Sequence, residues 1–299
     1  MNMKLNRLDP ADLESAIRTL KEFAAREMPL TKRLGWDQED RCPEQTIRAM
    51  LDPEVGMHLI FIPEAYGGVG GGAFDVYRLS TEFARIDLGM ATGILAVALG
   101  TDPIRVGCTE QQKQKWMTRI AEQGLIVAYG VTEPEAGSNV EAIKTRAERI
   151  TDVNGKVTGY RLNGVKQFIS NGAIADLYTI LARAPEGHSF FVVERGTEGL
   201  SPGNHEIKHG IRLSNTAQVL LEDVVIPAEN LVGEREGEGL KQANEVFGYT
   251  RLMVAAFGLG VGLAALERAI AYSRERVQFG GPLCEKQGYT HKLLVPNAV

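Results

Sequence analysis

Cysteine is scarce: three thiols, Cys42, Cys108 and Cys284, are spread over 299 residues. Their odd number and wide spacing exclude a disulfide framework and supply no metal-ligand pattern, so structural thiols are expected. A strong charge of either sign is missing too. With 33 Lys and Arg against 38 Asp and Glu, the formal charge is −5, which excludes a nucleic-acid binder acting through a broad basic face. No stretch offers the ~18–20 consecutive apolar residues needed to span a bilayer. The most apolar segment, Leu252 to Leu266, is rich in Gly and Ala and reads as a buried helix, with no integral membrane segment. No apolar run follows the opening MNMKLNRLDP, so neither a secretory signal nor a transit peptide is visible and a cytoplasmic address is expected. Repeats and low-complexity tracts are absent as well.

What is present divides into three textures. Residues 1–125 read as an N-terminal all-α domain. Asp9 and Pro10 supply a cap and first helical position, Leu13, Ile17, Leu20 and Ala24 recur at helical spacing, and Thr109 with Gln112 forms a capping box. The Gly-rich segment Pro63 to Gly72 reads as a flexible loop. Residues 126–235 carry short β-branched and aromatic runs such as Tyr178-Thr-Ile-Leu, Phe190-Phe-Val-Val and Gln218-Val-Leu-Leu, with a hairpin turn at Asn154-Gly155. No helices separate them, which predicts an antiparallel β-barrel-like domain. From 236 to 299 the pattern is helical again: one helix to about Val277 with a break or bend, and another from near Glu285. The fold class is thus α+β multidomain, closing on the start of a C-terminal helical bundle.

Two stretches carry chemistry. Ala128 to Val140 is a strand that ends in a Thr and a Pro/Gly-rich turn, offering a hydroxyl and free backbone N–H groups. That suits a flat, polar-edged heterocycle or an anion, although an ordinary strand exit has the same spacing. In Gly164 to Gly172, Phe168 and Ser170 stand at i and i+2, which puts them on one side of a regular strand. Phe168 would cover the face of an aromatic ring while Ser170 reaches its edge, or would simply be a core residue. The acids Asp87, Glu133 and Glu135 nearby read as caps, turn formers or solvated surface.

Together the stretches resemble the acyl-CoA dehydrogenase family. The resemblance rests on Gly130-Val-Thr-Glu-Pro-Glu-Ala-Gly-Ser138, with Asn139 where the family usually has Asp, on Gly164 to Gly172, and on Pro63-Glu-Ala-Tyr-Gly-Gly68. Further agreements are Leu231-Val-Gly-Glu234 before Gly237-Glu-Gly239, Thr250-Arg251, and Arg276-Val-Gln-Phe-Gly280 before Gln287. It implies FAD as cofactor, with Tyr129, Val131, Thr132, Phe168, Ile169 and Ser170 around the ring and Ser138 near FAD phosphate and acyl-CoA. Gly248 and Arg251 would belong to the substrate pocket. Arg276, Gln278, Phe279 and Gln287 match positions that hold the adenosine and pyrophosphate half of a flavin belonging mainly to a neighbouring subunit. The implied reaction is α,β-dehydrogenation of an acyl-CoA thioester in a homo-oligomer, usually a tetramer, with an electron-transferring flavoprotein as acceptor. The resemblance sets the catalytic Glu beyond Val299, so the chain is expected to be C-terminally incomplete; Thr250 occupies the alternative base position.

Three other readings stand beside this one: an acyl-CoA oxidase-type flavoenzyme, a non-catalytic subunit or fragment, and a zinc hydrolase. The last rests on His205-Glu-Ile-Lys-His209, which formally matches H-E-x-x-H but lies between Pro202-Gly203 and Gly210 in β texture, where a helix is not expected. No metal site is expected. Gly258, Gly260 and Gly262 follow no strand and read as close helix packing, not a dinucleotide loop.

Overall fold

The computed structural model describes residues 7–294; residues 1–6 and 295–299, on which part of the reading of the two chain ends rests, lie outside the described residues. Six helices come first: α1 (Pro10–Glu27), α2 (Leu30–Gln38), α3 (Glu44–Leu51), α4 (Ala73–Ile86), α5 (Leu88–Gly107) and α6 (Glu110–Gln123). Local chemistry starts several of them. Asp9 accepts from the Ala11 N–H at 2.8 Å with Pro10 at the first position, Asp87 caps α5 through the Met90 N–H, and Thr109 and Gln112 exchange both bonds of a capping box. Each satisfies a donor that the helix leaves open.

The Gly-rich segment before α4 is not a flexible loop. The N–H groups of Val69, Gly70 and Gly71 donate to the carbonyls of Leu59, Ile62 and Ile60 at 2.8, 2.9 and 2.9 Å, and a Cβ on Gly68 would collide with the Ile62 carbonyl. Glycine serves here for close approach of two backbones.

Seven strands follow: β1 (Val127–Gly130), β2 (Arg146–Thr151), β3 (Val157–Ser170), β4 (Leu177–Ala184), β5 (Gly187–Glu194), β6 (Leu200–His205) and β7 (Thr216–Pro227), in the order β1-β4-β2-β3-β7-β6 with β5 also on β4. The pairings are antiparallel except that β1 runs parallel to β4, and β2 touches β4 at one parallel pair. The β2–β3 hairpin turns at Asn154-Gly155 as expected, with Gly155 at φ 81° and the Asp152 carboxylate accepting from the Asn154 and Lys156 N–H groups. Helix α5 lies on the sheet so closely that a Cβ on Gly100 would stand 2.7 Å from the Val127 carbonyl carbon.

The last large element is α7 (Gly239–Glu275), followed by the small hairpin β8 (Val277–Gln278) and β9 (Gly281–Pro282) and the short α8 (Gln287–Tyr289). Glu236 anchors its start, accepting from Arg149 Nε at 2.7 Å, the Tyr160 hydroxyl at 2.8 Å and the Glu186 N–H at 2.9 Å. One expectation is corrected here: helix α7 runs through Gly258 to Gly262 without a break. Among the described residues only one of its faces is covered. It is long and apolar enough to cross a membrane by length and composition, yet a stripe of Met253, Ala256, Gly260 and Ala264 packs inward while Leu252, Val254, Leu259 and Val261 are exposed. Spacings of three and four residues put only one face on α4 and α5.

Candidate functional site

The site grows from the exit of β1. Beyond Gly130 the chain leaves the sheet and tightens into a loop in which Glu133 and Ala136 exchange backbone hydrogen bonds of 2.8 and 3.1 Å. The Thr132 carbonyl accepts from the Gln167 N–H at 2.8 Å, so the strand exit is tied to β3. There β3 bulges: its register with β7 shifts between Lys166 and Ile169, and Phe168 takes φ 58°, a left-handed conformation that costs a non-glycine residue about 1–3 kcal/mol.

The bulge alters the expected alternation. Instead of Phe168 and Ser170 sharing one side as i and i+2, three successive residues, Phe168, Ile169 and Ser170, line one pocket of about 180 Å³ together with Tyr129, Val131, Thr132 and Gly137. Ile169 is otherwise buried, whereas the Phe168 ring is 63% exposed. Ala96 and Leu99 of α5 and Phe247 of α7 complete the lining. The sequence reading missed these three; Phe247 stands one helical turn before Arg251, an i, i+4 relation that was available. Among the described residues no Asp or Glu lines the pocket.

Tyr129 forms one wall, its ring 5.7 Å from Phe190 and edge-on to Phe247 at 6.0 Å. Its hydroxyl is buried without a hydrogen-bond partner among the described residues, and burial, with the Asp102 charge second, raises its pKa. Asp102 itself is buried on α5; burial pushes its carboxyl up to about 6 against the pull of Arg105, whose Nε donates to it at 2.7 Å. Behind the wall Glu133, read from sequence as a surface or turn acid, is buried and paired with the fully buried Lys166 at 2.7 Å. Burial pushes the Lys166 ammonium down to about 8 while the Glu133 carboxylate pulls it back up.

Other expected residues fall elsewhere. Ser138 is exposed on the loop past Gly137 and does not line the pocket; Gly248 and Arg251 are exposed on α7 beside Phe247. Thr250 is buried, its hydroxyl donating to the Val246 carbonyl at 3.1 Å. Arg276, Gln278, Phe279 and Gln287 are exposed at and beyond the far end of α7, with Phe279 at φ 50° and 95% exposed. Arg276 lies twenty-nine residues past Phe247, roughly 44 Å along the helix at 1.5 Å per residue. That separation sets these four residues apart from the pocket.

The zinc reading fails on geometry. His205 ends β6 and His209 follows in an irregular segment, so they share no helix face. His205 Nε2 lies 3.6 Å from Asp40 and 3.3 Å from Lys208 Nζ, and among the described residues no cluster of three metal-ligating side chains occurs.

The pocket suits a flat heterocycle: an aromatic ring held outward by backbone strain, hydroxyls of Thr132 and Ser170 around it, and an unsatisfied buried phenol below. Comparison with known proteins identifies the family. Residues 10–124, 128–224 and 237–295 match the sequence profiles described as acyl-CoA dehydrogenase N-terminal, middle and C-terminal domains. A short-chain-specific acyl-CoA dehydrogenase of Megasphaera elsdenii is 40% identical over 248 residues, 80% of this chain and 63% of that protein. The solved butyryl-CoA dehydrogenase of the same organism superposes with TM-score 0.88 at 32% identity, covering 98% of this chain and 76% of its own. An acyl-CoA dehydrogenase complexed with FAD from Bacillus anthracis gives TM-score 0.84 at 29% identity, over 98% of this chain and 50% of that one. The chain thus spans less than two thirds of the curated Megasphaera relative.

Proposed function

Because the chain belongs to the acyl-CoA dehydrogenase family, we propose that the whole protein is an FAD-dependent dehydrogenase that desaturates an acyl-CoA thioester between its α and β carbons. The observation that carries this is Phe168, whose exposed ring is held by a positive φ over a pocket edged by Thr132 and Ser170. When bound, FAD supplies an acceptor for the β-hydride.

Phe168 covers one face of the flavin ring, and the hydroxyls of Thr132 and Ser170 reach its polar edge. Tyr129, Ala96, Leu99 and Phe247 exclude water and shape the adjoining acyl space. Arg251, one turn from Phe247, meets the coenzyme A arm. Ser138 and Gly248 are assigned to the same substrate approach. Thr250 takes no proton, since a neutral hydroxyl is far too weak a base for an α-proton; its O–H donates to the Val246 carbonyl. Among the described residues the pocket has no carboxylate, so the α-proton acceptor comes from outside this constellation, which agrees with a base in the remainder of the C-terminal bundle.

The exposed stripe of Leu252, Val254, Leu259 and Val261 is an apolar face for the remainder of the bundle to cover, and a homo-oligomer is proposed from the family resemblance. Arg276, Gln278, Phe279 and Gln287 then hold the adenosine and pyrophosphate half of a neighbouring chain's FAD, where the Arg fork suits phosphate oxygens. Electron-transferring flavoprotein is the proposed acceptor.

The test is anaerobic mixing of flavin-loaded protein with a panel of acyl-CoA thioesters while flavin absorbance is followed. Bleaching is expected from a polypeptide that includes the rest of the bundle, whereas residues 1–299 bind flavin without desaturating. Bleaching by residues 1–299 at the longer polypeptide's rate would overturn the assignment of the base.

A further inference from the structure

Glu133 and Lys166, 33 residues apart, meet behind the pocket wall with Nζ 2.7 Å from Oε1. Lys166 Nζ also donates to the Val131 carbonyl at 3.2 Å. The Glu133 carboxylate accepts further from the Thr145 N–H at 3.0 Å, the Thr145 hydroxyl and the Lys144 N–H. Val131 and Glu133, the residues on either side of Thr132, are therefore both held by the side chain that stands two residues before Phe168. The bond from the Gln167 N–H to the Thr132 carbonyl closes the same frame. Gly164 lets β3 lie on Thr145, since a Cβ there would come within 2.8 Å of the Thr145 Cα.

Burying two charges costs several kcal/mol each in desolvation, and a well-packed apolar pair is often as stable or more so. Stability alone does not account for an ion pair at this place. Its bonds run to one lip of the pocket, the Thr132 segment, and its lysine belongs to the other, the Phe168 bulge. We propose that Lys166 and Glu133 are positioning residues for the flavin ring, which set the gap between Thr132 and Phe168 without touching cofactor or substrate. The inference rests on the flavin reading of the pocket. A ring clamped between two lips loses affinity when their spacing relaxes by a fraction of an ångström.

The experiment replaces both charges at once, Lys166→Met with Glu133→Gln, which keeps most of the volume and an acceptor for Thr145. Four quantities are compared with the parent chain: thermal midpoint without flavin, FAD dissociation constant by flavin fluorescence, the absorption spectrum of bound flavin, and amide exchange. The expected result is a midpoint within a few degrees, FAD binding weakened by about tenfold or more, altered fine structure in the bound-flavin spectrum, and faster exchange at Gln167 and Thr145 but not along β4 and β5. A second variant, Thr145→Val, removes a bond to Glu133 without unpairing a charge, and should weaken FAD by a smaller factor in the same direction. Parent-like FAD affinity and spectrum in either variant overturn the positioning role and leave the flavin reading intact. A parent chain that binds no FAD overturns the flavin reading, and this inference falls with it.

Discussion

Gly260 of α7 lies directly on Thr81 of α4: a Cβ at position 260 would overlap the Thr81 carbonyl oxygen and stand 2.8 Å from the Ala84 Cβ. The two helices cross here with their backbones in contact. Gly258 and Gly262 have open space around them. Gly260→Ala should therefore destabilise the protein by about 1–3 kcal/mol through overpacking, less up to about 1 kcal/mol gained in helix propensity. In residues 1–299 alone, where that side of α7 is uncovered, Gly258→Ala and Gly262→Ala should be neutral or stabilising by up to about 1 kcal/mol. Denaturant midpoints of the three variants check this, and equal shifts at all three positions would contradict the packing account.

Phe168 gives stability and binding opposite demands. Its ring is mostly exposed and its backbone strained, so Phe168→Ala should change unfolding free energy by no more than about 1 kcal/mol. Removing a stacked aromatic costs about 0.5–1.5 kcal/mol, so FAD should bind roughly 2- to 12-fold more weakly. Calorimetric titration with FAD measures the second quantity. Unchanged affinity would remove Phe168 from the ring site.

Asp102 makes stability depend on pH in the direction opposite to an ordinary paired carboxylate. Its folded pKa, pushed up to about 6 by burial, lies above the ordinary carboxyl value of 3.8. The folded state thus holds a proton that the unfolded chain has released, and the group's contribution, present below about pH 4, is lost as pH rises through about 6. The shift of about two pKa units corresponds to about 3 kcal/mol. Asp102→Asn should match the parent near pH 4 and exceed its stability at pH 7 by about 1–3 kcal/mol. Unfolding curves at both pH values decide; an equal difference at each would refute the ionisation account.

How far the sequence was legible depended on the range of the interaction. The caps at Asp9 and Thr109 and the turn at Asn154-Gly155 involve partners two to four residues away, and all three form as read. The ion pair of Glu133 and Lys166 joins residues far apart in the chain, and no spacing announces it. Composition misled at Gly68 to Gly72, because glycine that permits backbone contact has the same letters as glycine that permits motion. It was ambiguous at Leu252 to Leu266, where apolar residues all round the helix conceal which stripe is covered. At the pocket, the residues offered the Thr132 hydroxyl at a strand end but left an ordinary strand exit open, and only resemblance singled out Tyr129 and Val131. The bulge that turns Phe168, Ile169 and Ser170 together is a register shift against β7, which a single strand does not reveal.

The histidines of the H-E-x-x-H match offer a control. His205 neighbours Asp40 and Lys208 on a half-buried surface, and His209 is exposed. His205→Ala with His209→Ala should shift stability by about 1 kcal/mol or less and leave FAD affinity within about twofold of the parent. Loss of activity restored by added zinc would reverse the reading of both residues.

The roughly 44 Å of helix between Phe247 and Arg276 makes flavin retention a matter of mass action. If the ring is gripped at one end of α7 and the adenosine half by the far end of another copy's helix, each FAD is completed by two chains, and association and loading are linked equilibria. Dilution then strips flavin even when free FAD is held constant, and added FAD drives association. Apparent FAD affinity would be a property of how much protein is in the tube.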